Sequence, residues 1–459
     1  MAYSPWSLLT DAGLIGGLLL VGTLVRRWVG LAQRLMLPAS VIAGFLGLLL
    51  GPKVLGVLPF SDQLGTYASV LIAVIFACLA LSDDMGVRGF GPSTGAFSLY
   101  SMGAYALQVG LGMLLALLVL TPAFGTPAGF GLLLFAGWAG GFGSAAAIGS
   151  VFSDAGWAEA GSLAFTSATV GLLVGVVGGI VWANWGARRG HAQRLGNFTD
   201  LPDSLRTGLV RDPDERASIG TATTSASSIE PLGLQVCLVA AVSAAAYGVA
   251  ELSTALYPQF SPPVFALAFI VGLLVKTALR RTPAWAYACP RTMRGISGVA
   301  TDILIVCGIA SIVPSFVVAN WVPLVLLFVF GLAFCLVMFR WVAPALMHDA
   351  WFEKAIFTWG WATGSIPTSI ALLRMVDPDL DSRTLEEFGI AYLPVAPVET
   401  ASVALTPVIV LVGAAWAIAA GWTALGVVAL VLPFVLGWAR RGALRATTAA
   451  ATDNPGRTA

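Results

Sequence analysis

Long uninterrupted apolar runs constrain the fold of this chain more than any other feature. Most run for about 20 residues, the length that an α-helix needs to cross ~30 Å of hydrocarbon. Of the 459 residues, 58% are hydrophobic and 10% are charged, whereas about a quarter are charged in soluble proteins. Only helices or a closed barrel satisfy the backbone in hydrocarbon, and the runs lack the short alternation of barrel strands. The sequence therefore predicts an all-α polytopic membrane protein.

The apolar segments predicted to enter the membrane are 7–25, 35–58, 64–82, 96–120, 128–151, 159–186, 231–256, 262–279, 296–317, 321–344, 355–374, 388–413 and 416–438. A polar, arginine-rich stretch separates the sixth segment from the seventh. Its composition predicts a largely disordered cytoplasmic linker.

Basic residues orient these segments, because cytoplasmic loops carry an excess of Lys and Arg. Arg26 and Arg27 place the first connector inside and the N-terminus outside, and Arg440 places the C-terminus in the cytoplasm. Alternating crossings then leave 128–151 with both ends outside and 355–374 with both ends inside. We interpret each of these two segments as a re-entrant hairpin.

Both halves therefore predict the same plan in opposite orientations. The fold expected is two inverted-topology repeats of five transmembrane helices, each with a re-entrant hairpin, plus one extra C-terminal helix. The predicted units are an N-terminal repeat at 1–186, the linker at 187–230, a C-terminal repeat at 231–413, and the extra helix with a basic tail at 414–459. Inverted repeats recur among secondary transporters, whose sites lie where interrupted segments meet near the midplane.

The first hairpin contains a glycine cluster in the middle of its apolar run. Gly140, Gly141 and Gly143 are expected to break the helix and let backbones approach closely. Ser144 is predicted to cap a second half-helix that begins there. A helix N-terminus with free N–H groups would then point at the middle of the bilayer and suit a carboxylate.

The second hairpin carries a comparable break, in which Ser365 is predicted to cap and Pro367 lies in the first turn. Its hydroxyl and glycine positions are candidates for substrate and ion binding: Thr363, Gly364, Ser365, Thr368 and Ser369. Glycines in membrane helices often serve packing alone. The presence of a matching break in each half favours the functional interpretation.

These motifs resemble the sodium/glutamate symporter family, whose two oppositely oriented halves each have a Gly-Gly-X-Gly re-entrant loop. The resemblance is carried by GGFGSAAAI at 140–148, ATVGLLVGVVGG at 168–179, GSIPTSIA at 364–371 and LPASVIAG at 37–44, and it extends over roughly residues 10–415. Trp361 and Ala362 stand where the family favours glycines, and the last helix has no clear counterpart. The resemblance implies sodium-coupled symport of glutamate or a related small carboxylate.

Ionisable residues inside predicted crossings are rare and costly, so they are further candidates. Glu399 lies midway along 388–413 and is interpreted as a cation ligand or proton carrier, or else as a carboxyl that bonds neighbouring helices. Asp302 is expected at the cytoplasmic start of its helix, although a functional role stays open. The predicted sodium ligands are Ser144, Thr368 and Glu399.

The leading hypothesis is a secondary active transporter with alternating access and a site between the hairpins. The alternatives are a proton-coupled carboxylate transporter that uses Glu399 or Asp302, a passive channel, and a membrane enzyme. No nucleophile motif or phosphate-binding loop favours an enzyme, and no cofactor beyond the coupling ion is expected. A net charge of +1 suggests no nucleic-acid partner. The expected partners are the substrate, sodium, the lipids of the plasma (inner) membrane and a second copy in a homodimer.

Overall fold

The computed structural model describes residues 4–35, 37–82, 91–191, 206–256, 262–347, 349–364, 366–377 and 380–439. Helices are the regular elements of these residues, and no strand occurs among them. Within this described part of the chain, eight helices are long and apolar enough to cross a membrane, and a bent pair would make a ninth. The prediction of an all-α chain with many membrane-spanning helices is confirmed.

The first half contains two broken or shortened helices among four long ones. Its helices are α1 (Pro5–Trp28), α2 (Ala39–Leu50), α3 (Leu64–Ser82), α4 (Pro92–Leu115), α5 (Leu132–Gly137), α6 (Gly141–Asp154) and α7 (Ala160–Arg188). A 3-10 turn at Ala128–Gly131 leads into α5.

The second half repeats this order. Its helices are α8 (Pro231–Leu256), α9 (Val264–Arg280), α10 (Pro290–Ala310), α11 (Trp321–Val337), α12 (Trp351–Thr363), α13 (Ile366–Val376), α14 (Thr384–Ala391) and α15 (Val395–Leu411). A last helix, α16 (Ala415–Val435), follows. The pair α5 and α6 has the same place in this order as α12 and α13, and each pair occupies a segment that was predicted to be a re-entrant hairpin.

Helices α4 and α11, which have the same place in the two halves, both end in a stretch of π-helix. Each helix continues into five residues of π-helix, Ala116–Leu120 and Met338–Val342, and then into a short α-helical turn. Pro122 and Pro344 are the second residues of those turns. Proline lacks the N–H that would bond four residues back, which favours such a local widening of the helix. The sequence prediction did not anticipate this shared feature.

Packing divides the helices into two groups. The first group contains α1 to α3 and α8 to α10, in which α3 packs against both α9 and α10 and α10 packs against α2. The second group contains the two broken pairs, which pack around α7 and α4, while α16 packs along α4. The groups meet where α6 contacts α3 and α10 and where α7 contacts α10.

The two central helices of the first group run in opposite directions. One cavity is lined by Leu64 at the start of α3 and by Ala310 at the end of α10. Another is lined by Ser82 at the end of α3 and by Pro290 at the start of α10. This antiparallel pairing of equivalent helices is the arrangement that two oppositely oriented halves would produce.

Three predicted crossings differ from the structure. Segment 35–58 contains a helix of 12 residues, Ala39–Leu50, which covers only about 18 Å. The helix predicted at 296–317 begins at Pro290 and ends at Ala310.

Segment 388–413 is also not one straight helix. It belongs to Thr384–Ala391 and Val395–Leu411, whose axes are bent by 55°. In the linker, most side chains of residues 206–230 are exposed, and Pro213–Glu215 forms a 3-10 turn. Thr221 of the linker lies 3.6 Å (Oγ1 to Sγ) from Cys289.

Candidate functional site

The first break lies between α5 and α6. Its backbone turns back on the preceding helix, because the N–H of Trp138 donates to Leu134 O at 2.9 Å and that of Gly140 to Phe135 O at 2.9 Å. Gly141 then opens α6 with a φ of +64°, in the left-handed region that favours glycine. The predicted break is present, and Gly141 is the residue that its conformation requires.

Ser144 does not cap α6, contrary to the sequence prediction. Gly140 occupies the N-cap position without a side-chain hydrogen bond, and Ser144 is the fourth residue of the helix. Gly140 and Ser144 pack together, since a Cβ at Gly140 would lie 2.6 Å from the Ser144 Oγ. Gly143 has room for a side chain, because a Cβ there would lie 3.5 Å from its nearest neighbour, Ile72 Cδ1. Close backbone approach therefore concerns Gly140 and Gly141, and Gly143 faces a cavity.

The second break lies between α12 and α13. The Thr363 hydroxyl donates to Trp359 O at 2.7 Å, within its own helix, and Gly364 ends α12. Gly360 lets the two arms meet, because a Cβ there would lie 2.8 Å from the Ser369 Cα. Pro367 is the second residue of α13, as predicted, and Ser365 lies outside the described residues.

Glycines of α7 let the second hairpin pack closely. A Cβ at Gly171 would lie 2.6 Å from Thr363 O, and one at Gly175 would lie 2.7 Å from the Thr363 Oγ1. The Trp359 indole donates from Nε1 to Gly175 O at 3.0 Å. The glycines at 168–179 therefore serve helix packing, as small residues commonly do in membrane proteins.

The tips of the two hairpins touch each other. A Cβ at Gly141 would lie 2.9 Å from the carbonyl oxygen of Gly364, so the two backbones approach as closely as glycine allows. This contact brings together the two breaks that the sequence pattern singled out.

Two residues of α4 that the sequence prediction missed face both hairpins. The Gln108 side-chain oxygen accepts from Ala139 N–H at 3.3 Å, and its nitrogen donates to Ala362 O at 2.7 Å. The Tyr105 ring centroid lies 4.9 Å from that of Phe135 in α5. The only sequence signal was a polar residue, Gln108, inside an otherwise apolar segment.

A cavity of about 510 Å³, called the central cavity, lies beside the first tip and between α3, α9 and α15. Its polar lining consists of side chains from three elements: Ser144, Tyr392, Glu399 and Thr400. The Tyr392 hydroxyl donates to the Glu399 carboxylate (Oε2) at 2.6 Å. The N-terminal turn of α6 contributes Gly140 and Gly143 to the wall.

The other predicted site residues lie elsewhere. Thr363, Thr368 and Ser369 are buried, and within the described part of the chain they are not among the residues that line the central cavity. Asp302 is the thirteenth of the 21 residues of α10, so it lies in mid-helix and not at the helix start that was expected. Ser144 and Glu399 thus line the same cavity, and Thr368 is not among its lining residues.

Two further cavities lie at opposite ends of α3 and α10. The basic cavity, of about 960 Å³, contains Arg291 and Arg294 and shares Leu79, Tyr392 and Ala396 with the central cavity. The opposite cavity, of about 450 Å³, is polar and contains Asp62, Asp154 and Lys53. It reaches α6 at Ala146, two residues beyond Ser144. The first hairpin tip is therefore flanked by cavities from both ends of the helix pair.

Many apolar helices around two broken pairs indicate a multi-pass membrane protein. The family model of the sodium/glutamate symporter matches residues 10–378, and the chain belongs to that family. The family is one of transporters and not of enzymes. Comparison with curated proteins and comparison with solved structures gave no match. The matched region includes both breaks, while Glu399, Tyr392 and α16 lie beyond its end.

Proposed function

We propose that this protein is a sodium-coupled symporter of glutamate or a related small carboxylate. The observation that carries the proposal is the first hairpin tip, where the N-terminal turn of α6 lines the central cavity together with Glu399. A volume of about 510 Å³ falls within the range of small-molecule sites. Family membership supports both the coupling ion and the substrate class.

The substrate carboxylate would bind at the N-terminal turn of α6. The first N–H groups of a helix have no partners within it, and the helix dipole adds a partial positive charge there. Gly140 and Gly143 have no side chains, so an anion can approach the backbone of this turn closely. Arg291 and Arg294 in the adjoining basic cavity would raise the local concentration of anions.

Sodium would be held by oxygen atoms near the same tip. Ser144 and Glu399 line one cavity, and hard oxygen ligands suit this ion. The Glu399 carboxylate and an anionic substrate repel each other unless a cation lies between them. This favours joint binding of substrate and sodium. Thr368 stays a predicted third ligand from the second hairpin.

Alternating access would come from relative motion of the two helix groups. The hairpins, α4, α7, α11 and the helices after them would move as one body against α1 to α3 and α8 to α10. The basic and opposite cavities lie at the two ends of the α3–α10 pair, where exit paths on opposite faces are needed. The arginine distribution supports a plasma-membrane orientation with the N-terminus outside and the C-terminus in the cytoplasm. We expect the protein to be a homodimer.

The proposed transport is tested with purified protein in proteoliposomes. Labelled glutamate and a panel of other small carboxylates are offered with an inward sodium gradient, with equal sodium on both sides, or with choline in its place. We expect concentrative uptake of at least one carboxylate that requires the sodium gradient. Equilibration without accumulation under every gradient would favour a passive channel instead.

A proton-coupled carboxylate transporter is the second candidate. It is favoured by Glu399, a titratable group that faces the central cavity and bonds to Tyr392. The same vesicles with a pH gradient and no sodium distinguish the two. Accumulation driven by protons alone would replace the sodium proposal.

A further inference from the structure

The side chain of Gln108 contacts both helix breaks. It lies on α4 and is 1% exposed. Its neighbours on the same helix face contact the same two hairpins. The Tyr105 ring stacks 5.9 Å (between centroids) from Trp361, and Gly112 approaches Gly131 before α5. The spacing of 105, 108 and 112 puts all three on one side of the helix.

Each break leaves a backbone group that helix geometry does not satisfy. Ala139 lies in the turn between α5 and α6, so its N–H has no helical partner. Ala362 is the second-last residue of α12, and the carbonyls of the last turn likewise lack partners within the helix. The Gln108 amide accepts from the first at 3.3 Å and donates to the second at 2.7 Å. A backbone donor and a backbone acceptor also fix which way the amide points.

We propose that Gln108 is a positioning residue that holds the two hairpin tips in register, one hairpin by each end of its amide. Buried polar groups that lose a partner cost about 1–3 kcal/mol each. Loss of the amide would therefore loosen both breaks, and the contact between Gly141 and Gly364 with them. The bearing of this clamp on transport rests on the proposed function, but its effect on the tips does not.

Replacement of the amide by a carboxyl group gives a specific test. A protonated glutamic acid keeps one acceptor and one donor, as glutamine does, whereas the ionised form has no donor for Ala362 O. Gln108→Glu should therefore behave like the wild type at low pH and lose the clamp at high pH. Buried glutamates titrate up to about pH 8–9, so measurements run from about pH 5 to pH 9. Gln108→Met keeps the approximate shape without either hydrogen bond and should lack the clamp throughout.

Gln235 provides a matched control in the other helix group. Its amide also joins two backbone groups, donating to Tyr287 O at 2.9 Å and accepting from Cys289 N–H at 3.0 Å, and it is 1% exposed. Gln235→Glu carries the same chemical change away from the hairpins. An effect of burial alone would appear in both glutamate variants.

The tip-to-tip separation is measured by the dipolar coupling between nitroxide labels at Gly143 and Ile366, which line cavities at the two hairpins. All variants share a background in which the native cysteines, Cys335 beside Gln108 included, are alanine. We expect the distribution of label-to-label distances in Gln108→Glu to match that of the parent near pH 5 and to be broader near pH 9. In Gln108→Met this distribution should be broad at both pH values. In Gln235→Glu it should match the parent at both. An unchanged separation in both Gln108 variants, or an equal change in Gln235→Glu, overturns the proposal.

Carboxylate uptake is measured on unlabelled proteins that keep Gly143 and Ile366 and carry the same changes at Gln108 and Gln235. Where the parent transports, Gln108→Glu should lose roughly 5- to 150-fold of the uptake rate between the two pH values, beyond any change in the parent. A pH-independent Gln108→Glu that transports like the parent also contradicts the clamp. A parent that moves no carboxylate under any gradient counts against the proposed function, while the separation measurement still decides the role of Gln108.

Discussion

The backbone of Gly141 lies against the carbonyl oxygen of Gly364, so that a Cβ at Gly141 would be 2.9 Å from that oxygen. The two residues are more than 200 positions apart in the chain, each at the break of its own hairpin. Gly141 also has a φ of +64°. Two independent constraints, a left-handed backbone and a facing carbonyl, therefore require glycine at this position.

Gly141→Ala should destabilise the protein and disturb the tips. A left-handed conformation costs a non-glycine residue about 1–2 kcal/mol, and the contact with Gly364 O adds to that. Thermal unfolding in detergent is the measurement. Gly143→Ala, two residues away with its nearest contact at 3.5 Å, is the control and should unfold near the wild-type temperature. Equal stability of the two variants would mean that Gly141 tolerates a side chain.

The proposed re-entrant hairpins predict a labelling pattern for single cysteines. Ala123 and Ala155 are exposed positions before and after the first hairpin, and Asp349 and Asp381 are exposed positions around the second. Cysteines at Ala123 and Ala155 should react with a membrane-impermeant maleimide from outside. Those at Asp349 and Asp381 should react only after the membrane is opened.

This labelling separates a hairpin from a complete crossing. Two cysteines around one hairpin that label from opposite faces would show that the segment crosses the bilayer. All four labelling from one face would exclude halves of opposite orientation. A cysteine-free parent is the negative control, and labelling of each variant after solubilisation in detergent is the positive control for reactivity.

Lys354 anchors the base of the second hairpin through buried charge. Its ammonium group, on a side chain that is 1% exposed, lies 2.9 Å from the Glu387 carboxylate and 2.8 Å from the Ser93 hydroxyl. Glu387→Gln would leave that charge without its nearest anion. We expect a loss of roughly 3 kcal/mol in unfolding free energy, the low end for a buried pair because Glu387 keeps some contact with water.

A double-mutant cycle measures the coupling between Lys354 and Glu387 separately from the effect of each substitution alone. Lys354→Met combined with Glu387→Gln should be less destabilised than the sum of the single changes, because no charge is then stranded. Asp349→Asn is the matched control, since Asp349 is 3.9 Å from the Lys354 ammonium and its side chain is 71% exposed. It should change stability by no more than about 0.5 kcal/mol. Additive single effects would contradict a coupled pair.

The positions of the breaks were predictable from the sequence, because a glycine-containing break occurs at the matching place in each half. The cap was not predictable, because serine and glycine are both favoured at an N-cap, and here Gly140 and not Ser144 occupies it. The role of Gln108 could not be predicted from the sequence either. Its partners are backbone groups about 30 and 254 residues away, and only the tertiary structure brings them to one helix face.

Hydropathy predicted which segments enter the membrane but not where their helices end. The apolar character of 35–58 continues through Leu49 and Leu50 into the turn at Gly51–Gly56, which no longer belongs to the helix. Segment 388–413 is apolar on average throughout, yet its second helix begins only at Val395, with Pro394 as the N-cap at the bend. Composition averages over such turns, whereas the backbone is ended by single glycine and proline residues.

Glu399→Gln is the sharpest test of the coupling ion. The amide keeps the size of the side chain and can still accept from the Tyr392 hydroxyl, which donates at 2.6 Å, but it carries no charge and does not titrate. If Glu399 holds sodium, its loss should weaken the apparent sodium affinity by roughly 5- to 150-fold, the effect of about 1–3 kcal/mol at a polar site. The substrate KM at saturating sodium should change less. Glu386→Gln, on the exposed side of α14, is the control and should leave both constants unchanged. Unchanged sodium affinity in Glu399→Gln would remove this residue from the ion site, and loss of proton-driven accumulation in the same variant would assign it to proton coupling instead.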